Sequence, residues 1–317
     1  MNPFAAWTPG PGPLYTALTT TWETLALPDP PKQLVNWIEG ESPLSTQKAV
    51  VAAIGTYLLV VFGGREMMRS RSPFKLTFLF QIHNLILTSG SLVLLLLMLE
   101  EIVPLYFKHG FYWSICHPAA FTPRLISFYM VNYYIKYVEL IDTVFLVLKK
   151  KPLQFLHVFH HAATAVLCYT QLEGETSVQW VVITLNLTVH VIMYYYYYAT
   201  AGGAKIWWKK YLTTLQITQF VIDLFIVYFA STCLFSHPYN HFAYKYTPLP
   251  VVDDCTGSEG AALFGCGLLT SYLFLFIAFY RATYKKTGNK AKAASVGTGL
   301  NGHAQAVKRG SEKSKVG

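Results

Sequence analysis

Three histidines, His157, His160 and His161, stand at i, i+3 and i+4, so a helix puts them on one face. His190 follows downstream. Near neutral pH an imidazole can be a nucleophile, a general base or a metal ligand. Further polar groups interrupt apolar runs: His83, then Lys136, Glu139 and Asp142 at intervals of three, then Gln216, Gln219 and Asp223. Three chemistries fit this set. One is a histidine-ligated metal: the histidines are too few for a multi-box di-iron site, but three neutral imidazoles suffice for one zinc. The second is nucleophilic or acid/base catalysis, with Asp142, Glu139 or a second histidine tuning the reactive ring. The third is transport, since transporters also place polar groups at the midplane. No repeated Gly or Pro interruption in corresponding spans accompanies them, which ranks transport last. Lys136, Glu139 and Gln216 also suit a purely structural role, as polar clamps between helices.

These side chains need elements to hold them, and the composition indicates which. Of 317 residues, 53% are hydrophobic, 16% aromatic and 13% charged, with a mean hydropathy of +0.34. Soluble domains carry about 25% charge, so this balance argues against disorder and against a water-soluble fold. Five cysteines exclude a disulfide-dense secreted scaffold. Seven runs approach or reach the length of a membrane helix: residues 48–64, 75–99, 125–148, 153–172, 177–200, 211–235 and 261–280. With about 1.5 Å of rise per residue, five spans bring their polar groups to roughly 6 to 18 Å from one membrane face. That concentration predicts a buried polar chamber opening on that face. Ionisable groups at such depth are costly and are functional candidates by default.

The basic residues name the face. Arg65, Arg69, Arg71 and Lys75 follow the first span, Lys149, Lys150 and Lys151 the third, and Lys205, Lys209 and Lys210 the fifth, while Glu100, Glu101, Glu173, Glu175, Asp253 and Asp254 fall opposite. The positive-inside rule then predicts a luminal N-terminus and a cytosolic C-terminus. The net charge of +9 reads as topology and attraction to anionic lipid, and no nucleic-acid partner is expected. Residues 1–47 read as a mostly irregular luminal arm with no cleavable signal peptide, 48–284 as a seven-helix catalytic domain, and 285–317 as a disordered basic tail. Lys313 and Lys315 near its end resemble a dilysine retrieval signal of the endoplasmic reticulum. Tyr194 to Tyr198 suit an interfacial belt, one or two of them pointing inward. Cys116 and Cys255 fall in luminal loops, where an oxidising lumen permits a bridge.

Four motifs occur in order: Lys136-x-x-Glu139-x-x-Asp142-Thr143; His157-Val-Phe-His160-His161; Asn186-x-x-Val189-His190-x-x-Met193-Tyr194-x-Tyr196-Tyr197; and Thr213-x-x-Gln216-x-x-Gln219. Over residues 76–280 the chain resembles the ELO family of very-long-chain fatty acid elongases, fungal type. The resemblance implies an all-α polytopic fold of seven transmembrane helices. Six form a ring around an acyl tunnel, as two inverted three-helix units, and the first packs outside. It also implies a 3-ketoacyl-CoA synthase of the endoplasmic reticulum that condenses acyl-CoA with malonyl-CoA, without a cofactor and without a metal. Family members carry a disulfide between two luminal loops, which points to Cys116–Cys255.

On this reading His160 carries the acyl group, His190 is its partner, and His157 and His161 orient and tune it. Asn186 and Gln219 are donors to developing oxyanions, and Lys136, Glu139, Asp142 and Gln216 support the site. Lys149, Lys150, Lys151, Lys205, Lys209 and Lys210 face the CoA phosphates, with Tyr194 and Tyr197 beside the substrate. Chain length is expected to depend on large residues near the luminal ends of the last two helices, such as Phe235, Phe264 or Tyr272. Partners would be the ketoacyl reductase, dehydratase and enoyl reductase of the elongation cycle, membrane lipids, and a second copy of the chain. The fungal-type resemblance points to saturated or monounsaturated chains for sphingolipid synthesis.

Overall fold

An apolar run inside hydrocarbon must satisfy its own backbone hydrogen bonds, and only a helix or a closed barrel does so. The computed structural model describes residues 10–246 and 255–285, apart from the side chains of 235–246 and 285. Among the described residues there are helices and no strands. They are α1 (Pro13–Thr24), α2 (Lys32–Val35), α3 (Gln47–Met67), α4 (Thr77–His109), α5 (Phe111–Cys116), α6 (Pro123–Leu148), α7 (Phe155–Glu173), α8 (Gln179–Ala201), α9 (Lys209–Tyr246) and α10 (Glu259–Tyr280). Asp253, Asp254, the Phe235 side chain and the basic tail with Lys313 and Lys315 lie outside this description.

Among the described residues, four helices are both long and apolar enough to cross a membrane: α3, α4, α9 up to Leu234, and α10 with its extension to Tyr284. The chain is therefore a multi-pass, all-α membrane protein. α6, α7 and α8 have 26, 19 and 23 residues, enough to span. They fall short in apolar content for a physical reason: they carry Lys136, Glu139, Asp142, the histidines, Asn186 and the tyrosine run. The residues that suggest chemistry are the same ones that dilute the hydropathy.

Two expectations change. The N-terminal arm is less irregular than its prolines suggest: Pro13 takes the first turn of the 12-residue α1, where a missing N–H costs nothing. Glu100 accepts from the backbone N–H of Leu14 and Tyr15, at 2.6 and 3.0 Å, capping that helix from across the fold. The second span runs past position 99 to His109, because its carboxylates are satisfied. Glu101 is 3% exposed and accepts from Thr122 Oγ1 at 2.8 Å and Arg124 Nε at 2.7 Å.

Among the described residues, those up to Leu273 form one unit, and those from Phe274 to Lys285 a second. In the second, α10 runs out into a π-turn over Arg281–Lys285, with the rings of Tyr280 and Tyr284 5.1 Å apart. In the first, α4 packs along α8 and also against α6, and α6 against α7 and α8. α3 lies against α6 and α7, and α8 against α9. Ser231 and Cys266 join α9 to α10, while Gln171 to Ala261 and Thr164 to Tyr272 join α10 to α7. One core, with Met98, Met130, Tyr133 and Leu187 fully buried, ties the arm to α4, α6 and α8 through Tyr15 and Trp37. At the α7–α8 end, Cys116 and Cys255 are bridged. Thr256 N–H donates to the Cys116 carbonyl at 2.8 Å, and Ser258 N–H to that of Gly174 at 3.0 Å.

Candidate active site

Helical spacing places Lys136 and Glu139 on one face of α6, and Asn186 and His190 on one face of α8. The contact of α6 with α8 then joins the two pairs. Lys136 Nζ donates to Glu139 Oε1 at 2.9 Å and to Asn186 Oδ1 at 2.8 Å. The second bond orients the amide, so Asn186 Nδ2 faces His190 Nε2 at 3.3 Å. That ring nitrogen must therefore accept, which assigns the imidazole proton to Nδ1. Nδ1 lies 3.2 Å from Glu139 Oε1, within ion-pair range but off the line of a hydrogen bond, so the four residues form one polar circuit with an electrostatic last contact. Lys136 is 2% exposed, and Glu139 and His190 are 4% each. At such depth unpaired charges are prohibitive, and this pairing is what makes them tolerable.

A second cluster sits on the next turns of the same helices. Asp142 Oδ1 lies 2.9 Å from His83 Nε2 of α4, and its Oδ2 accepts from the Tyr194 hydroxyl at 2.9 Å. Beside it, the Tyr57 hydroxyl of α3 and Thr143 Oγ1 are 2.9 Å apart. Tyr194 is fully buried and serves this carboxylate, whereas Tyr197 is partly exposed and meets Tyr194 and Tyr196 edge-on.

The histidine box lines α7. His157 and His161 approach ring to ring at 4.4 Å, and His160 and His161 at 5.9 Å. Glu139 and His190 act electrostatically on both His160 and His161, and Asp142 acts on His157. The box thus faces both clusters. His160 Nδ1 is 3.5 Å from Thr164 Oγ1, which is 3.0 Å from the Tyr272 hydroxyl. That hydroxyl donates to the His160 carbonyl at 3.2 Å, and the two rings are 4.6 Å apart. Tyr272 was expected near the luminal end of its helix; it stands instead against His160. Phe264 is 37% exposed.

On α9, Gln216 Nε2 reaches Met193 Sδ at 3.5 Å, and Gln219 Nε2 donates to Asp223 Oδ2 at 3.1 Å. Gln219 thus spends an amide proton on its own helix. Asp223 is fully buried, and its Oδ1 has no hydrogen-bond partner among the described residues. Lys149 lies over the Phe80 ring at 4.2 Å. Lys150 Nζ donates to the backbone carbonyls of Arg69 and Arg71 at 3.1 and 3.0 Å. Lys151, Lys205, Lys209 and Lys210 are exposed. No group of three histidine, cysteine or carboxylate side chains is arranged to hold a metal among the described residues.

Thr164 and Tyr272 are the neighbours that sequence reasoning missed or misplaced. Thr164 carried a readable signal, one helical turn after His160; Tyr272 comes from a distant helix and carried none. A small apolar cavity of about 50 Å³ lies further along α7, lined by Leu167, Cys168, Gln171, Ile183, Gly265 and Leu269 among others.

A family model described as ELO, the GNS1/SUR4 family, matches residues 42–292. Putative fatty acid elongase 1 of Schizosaccharomyces pombe is 50% identical over 262 residues, 81% of this chain and 76% of its own. Putative fatty acid elongase 2 of the same yeast is 47% identical over 267 residues, 83% and 71% of the two chains. Human very long chain fatty acid elongase 4 is 31% identical, with 93% and 90% covered.

Proposed function

The chain belongs to the ELO family of GNS1/SUR4 proteins, an enzyme family of fatty acid elongation, and from that premise we propose that it is a very-long-chain 3-ketoacyl-CoA synthase. It joins a long acyl-CoA to malonyl-CoA, releasing carbon dioxide and free CoA. The observation that carries this reading is the convergence of the histidine box and the Lys136–Glu139–Asn186–His190 circuit among apolar helices. It combines a nucleophile, fixed donors and greasy walls suited to an acyl chain.

In this mechanism Thr164 holds His160 through Nδ1, and Nε2 attacks the thioester carbonyl. The C–S bond breaks, the Nδ1 proton goes to the departing CoA sulfur, and an acyl-imidazole remains. Malonyl-CoA loses carbon dioxide, and the electron pair of the broken C–C bond becomes an enolate. Its carbon attacks the acyl-imidazole, the N–C bond breaks, and the imidazole takes a proton from the medium as 3-ketoacyl-CoA leaves. Lys136 and the second amide proton of Asn186 supply positive edges for the enolate oxygen, His190 holds that amide in place through Nε2, and Asp142, His83 and Tyr194 steady His157. No cofactor or metal enters these steps. Lys149, Lys205, Lys209 and Lys210 are the basic groups assigned to CoA phosphates.

The architecture proposed for this chemistry has seven spans, six of them in a ring with α3 outside. The packing partners support it, running α4–α6–α7–α10–α9–α8 and back to α4. Basic residues at the ends of α3, α6 and α8 support a luminal N-terminus and a cytosolic C-terminus, in the endoplasmic reticulum membrane. The reductions and dehydration that complete each cycle then belong to partner enzymes, and sphingolipid synthesis is the proposed destination.

The test is mass spectrometry of products from purified protein, malonyl-CoA and acyl-CoAs from C16 to C24, without a nicotinamide reductant. A 3-ketoacyl-CoA two carbons longer than its substrate is expected. Folded protein that makes none from any saturated or unsaturated substrate would overturn the synthase assignment.

A further inference from the structure

A cleft of about 910 Å³ opens where the C-terminal end of α3 meets the link from α6 to α7. Arg65, Arg69, Lys150 and Lys151 line it, with Glu66 the one carboxylate. Glu66 is held by Arg69 at 3.1 Å, and Lys150 is committed to two backbone carbonyls. The cleft is built by a close approach. A Cβ at Gly64 would meet Val147 Cγ1 at 3.3 Å, so glycine lets α3 and α6 come together there. Lys150 sits at a φ of 49°, in the left-handed region, which turns the chain so that its ammonium ties back to the α3–α4 loop and Lys151 stands at the rim.

Two features fix what the cleft can hold. On its inner side, Met68, Val147 and Leu153 belong to an apolar cluster with Tyr57, Leu140 and Val158. That cluster packs α3, α6 and α7 together behind the cleft. On its outer side α3 is dressed for lipid: Leu59 is 75% exposed and Phe62, which lines the cleft, 53%. The opening is therefore cationic at the helix end and apolar along α3 and on its inner side.

We propose that this cleft binds the phosphoryl headgroup of an anionic phospholipid, with acyl chains lying along α3 and the phosphate between Arg65, Arg69 and Lys151. Basic pockets between membrane helices suit such headgroups, and each cation near the anion contributes about fivefold in affinity. Lys151 then serves lipid rather than the CoA phosphates. The site stands whether or not the synthase mechanism above is right, because it rests on α3, α6 and their linker alone.

The test uses the full chain in detergent, with native mass spectrometry of retained dioleoyl phosphatidate against dioleoyl phosphatidylcholine. A second arm adds coenzyme A as a soluble phosphate source. Retention of phosphatidate over phosphatidylcholine is expected, falling about 30-fold in the Arg65→Gln/Lys151→Gln double variant, with excess coenzyme A displacing none of it. Both residues are exposed, and an unchanged melting temperature would show that the variant is folded. Equal retention of both lipids, or no loss in the folded variant, overturns the proposal. Displacement by coenzyme A, lost in the same variant, would assign the cleft to substrate and overturn it equally.

Discussion

Lys136 and Glu139 sit one helical turn apart at 2% and 4% exposure, and removing either strands the other. Breaking a buried pair from one side costs about 3–5 kcal/mol, whereas replacing both partners can be nearly neutral. Lys136→Met should therefore lower the thermal midpoint in detergent sharply, and adding Glu139→Gln should recover much of the loss. If the double variant is no more stable than the single one, the circuit is not coupled. Catalysis separates from stability at His160. His160→Ala should abolish 3-ketoacyl product while keeping a wild-type melt, and normal turnover in that variant would refute the nucleophile assignment. His190→Ala should lose nearly as much, because residues that act as a unit are not additive. Most of this site was legible in the sequence, since i, i+3 and i+4 spacing marks shared faces within a helix. What was not legible was the partner across helices. Nothing in the spacing tells that Asn186 meets Lys136, that Asp142 takes His83 and Tyr194, or that Tyr272 stands on His160.

Helix ends obey a different logic from helix faces. The apolar run of α4 stops at Glu100, and hydropathy alone would end the helix there. The helix continues because tertiary partners take up both carboxylates, Glu100 at the N-terminus of α1 and Glu101 at Thr122 and Arg124. The same local blindness hid α1, whose cap lies 86 residues away in sequence. Gly12 makes that cap accessible: a Cβ there would fall 2.5 Å from Glu100 Oε2. Gly12→Val should push the carboxylate off the Leu14 and Tyr15 amides and cost about 1 kcal/mol of capping. The arm should then be cut faster in limited proteolysis while the membrane helices stay protected. Cleavage at the wild-type rate would show that Glu100 does not anchor the arm. Hydropathy succeeded for α3, α4, α9 and α10 because their faces are almost wholly apolar. α6, α7 and α8 fall below the same measure because they carry the polar and ionisable groups of the candidate site.

At the scale of the molecule, the reading to test is that one tunnel runs from the histidines to a closed luminal end. From His160, Cys168 and Gln171 lie eight and eleven residues along α7, roughly 12 to 16 Å at the helical rise. The apolar cavity sits there. Beyond it the chain is tied shut. Gln171 Nε2 donates to the Ala261 carbonyl at 2.9 Å, Thr176 Oγ1 to Gln171 Oε1 at 2.8 Å, and Gln179 Nε2 to the Thr176 carbonyl at 2.9 Å. This polar floor is reinforced by the Cys116–Cys255 bridge. Gly265 borders the cavity: a Cβ there would make ordinary contact with Gln171 Nε2 at 3.5 Å and Leu167 Cδ1 at 4.0 Å. Alanine therefore fits and should leave the product distribution close to wild type. Leucine adds three more heavy atoms in a space of about 50 Å³ and should fill it. With a ladder of acyl-CoA substrates, Gly265→Leu should lower the longest chain accepted by about two carbons. Turnover of shorter substrates should stay intact, because the histidines are two turns or more away. An unchanged length profile in a folded, active Gly265→Leu enzyme would place the end of the acyl path elsewhere and detach this cavity from substrate.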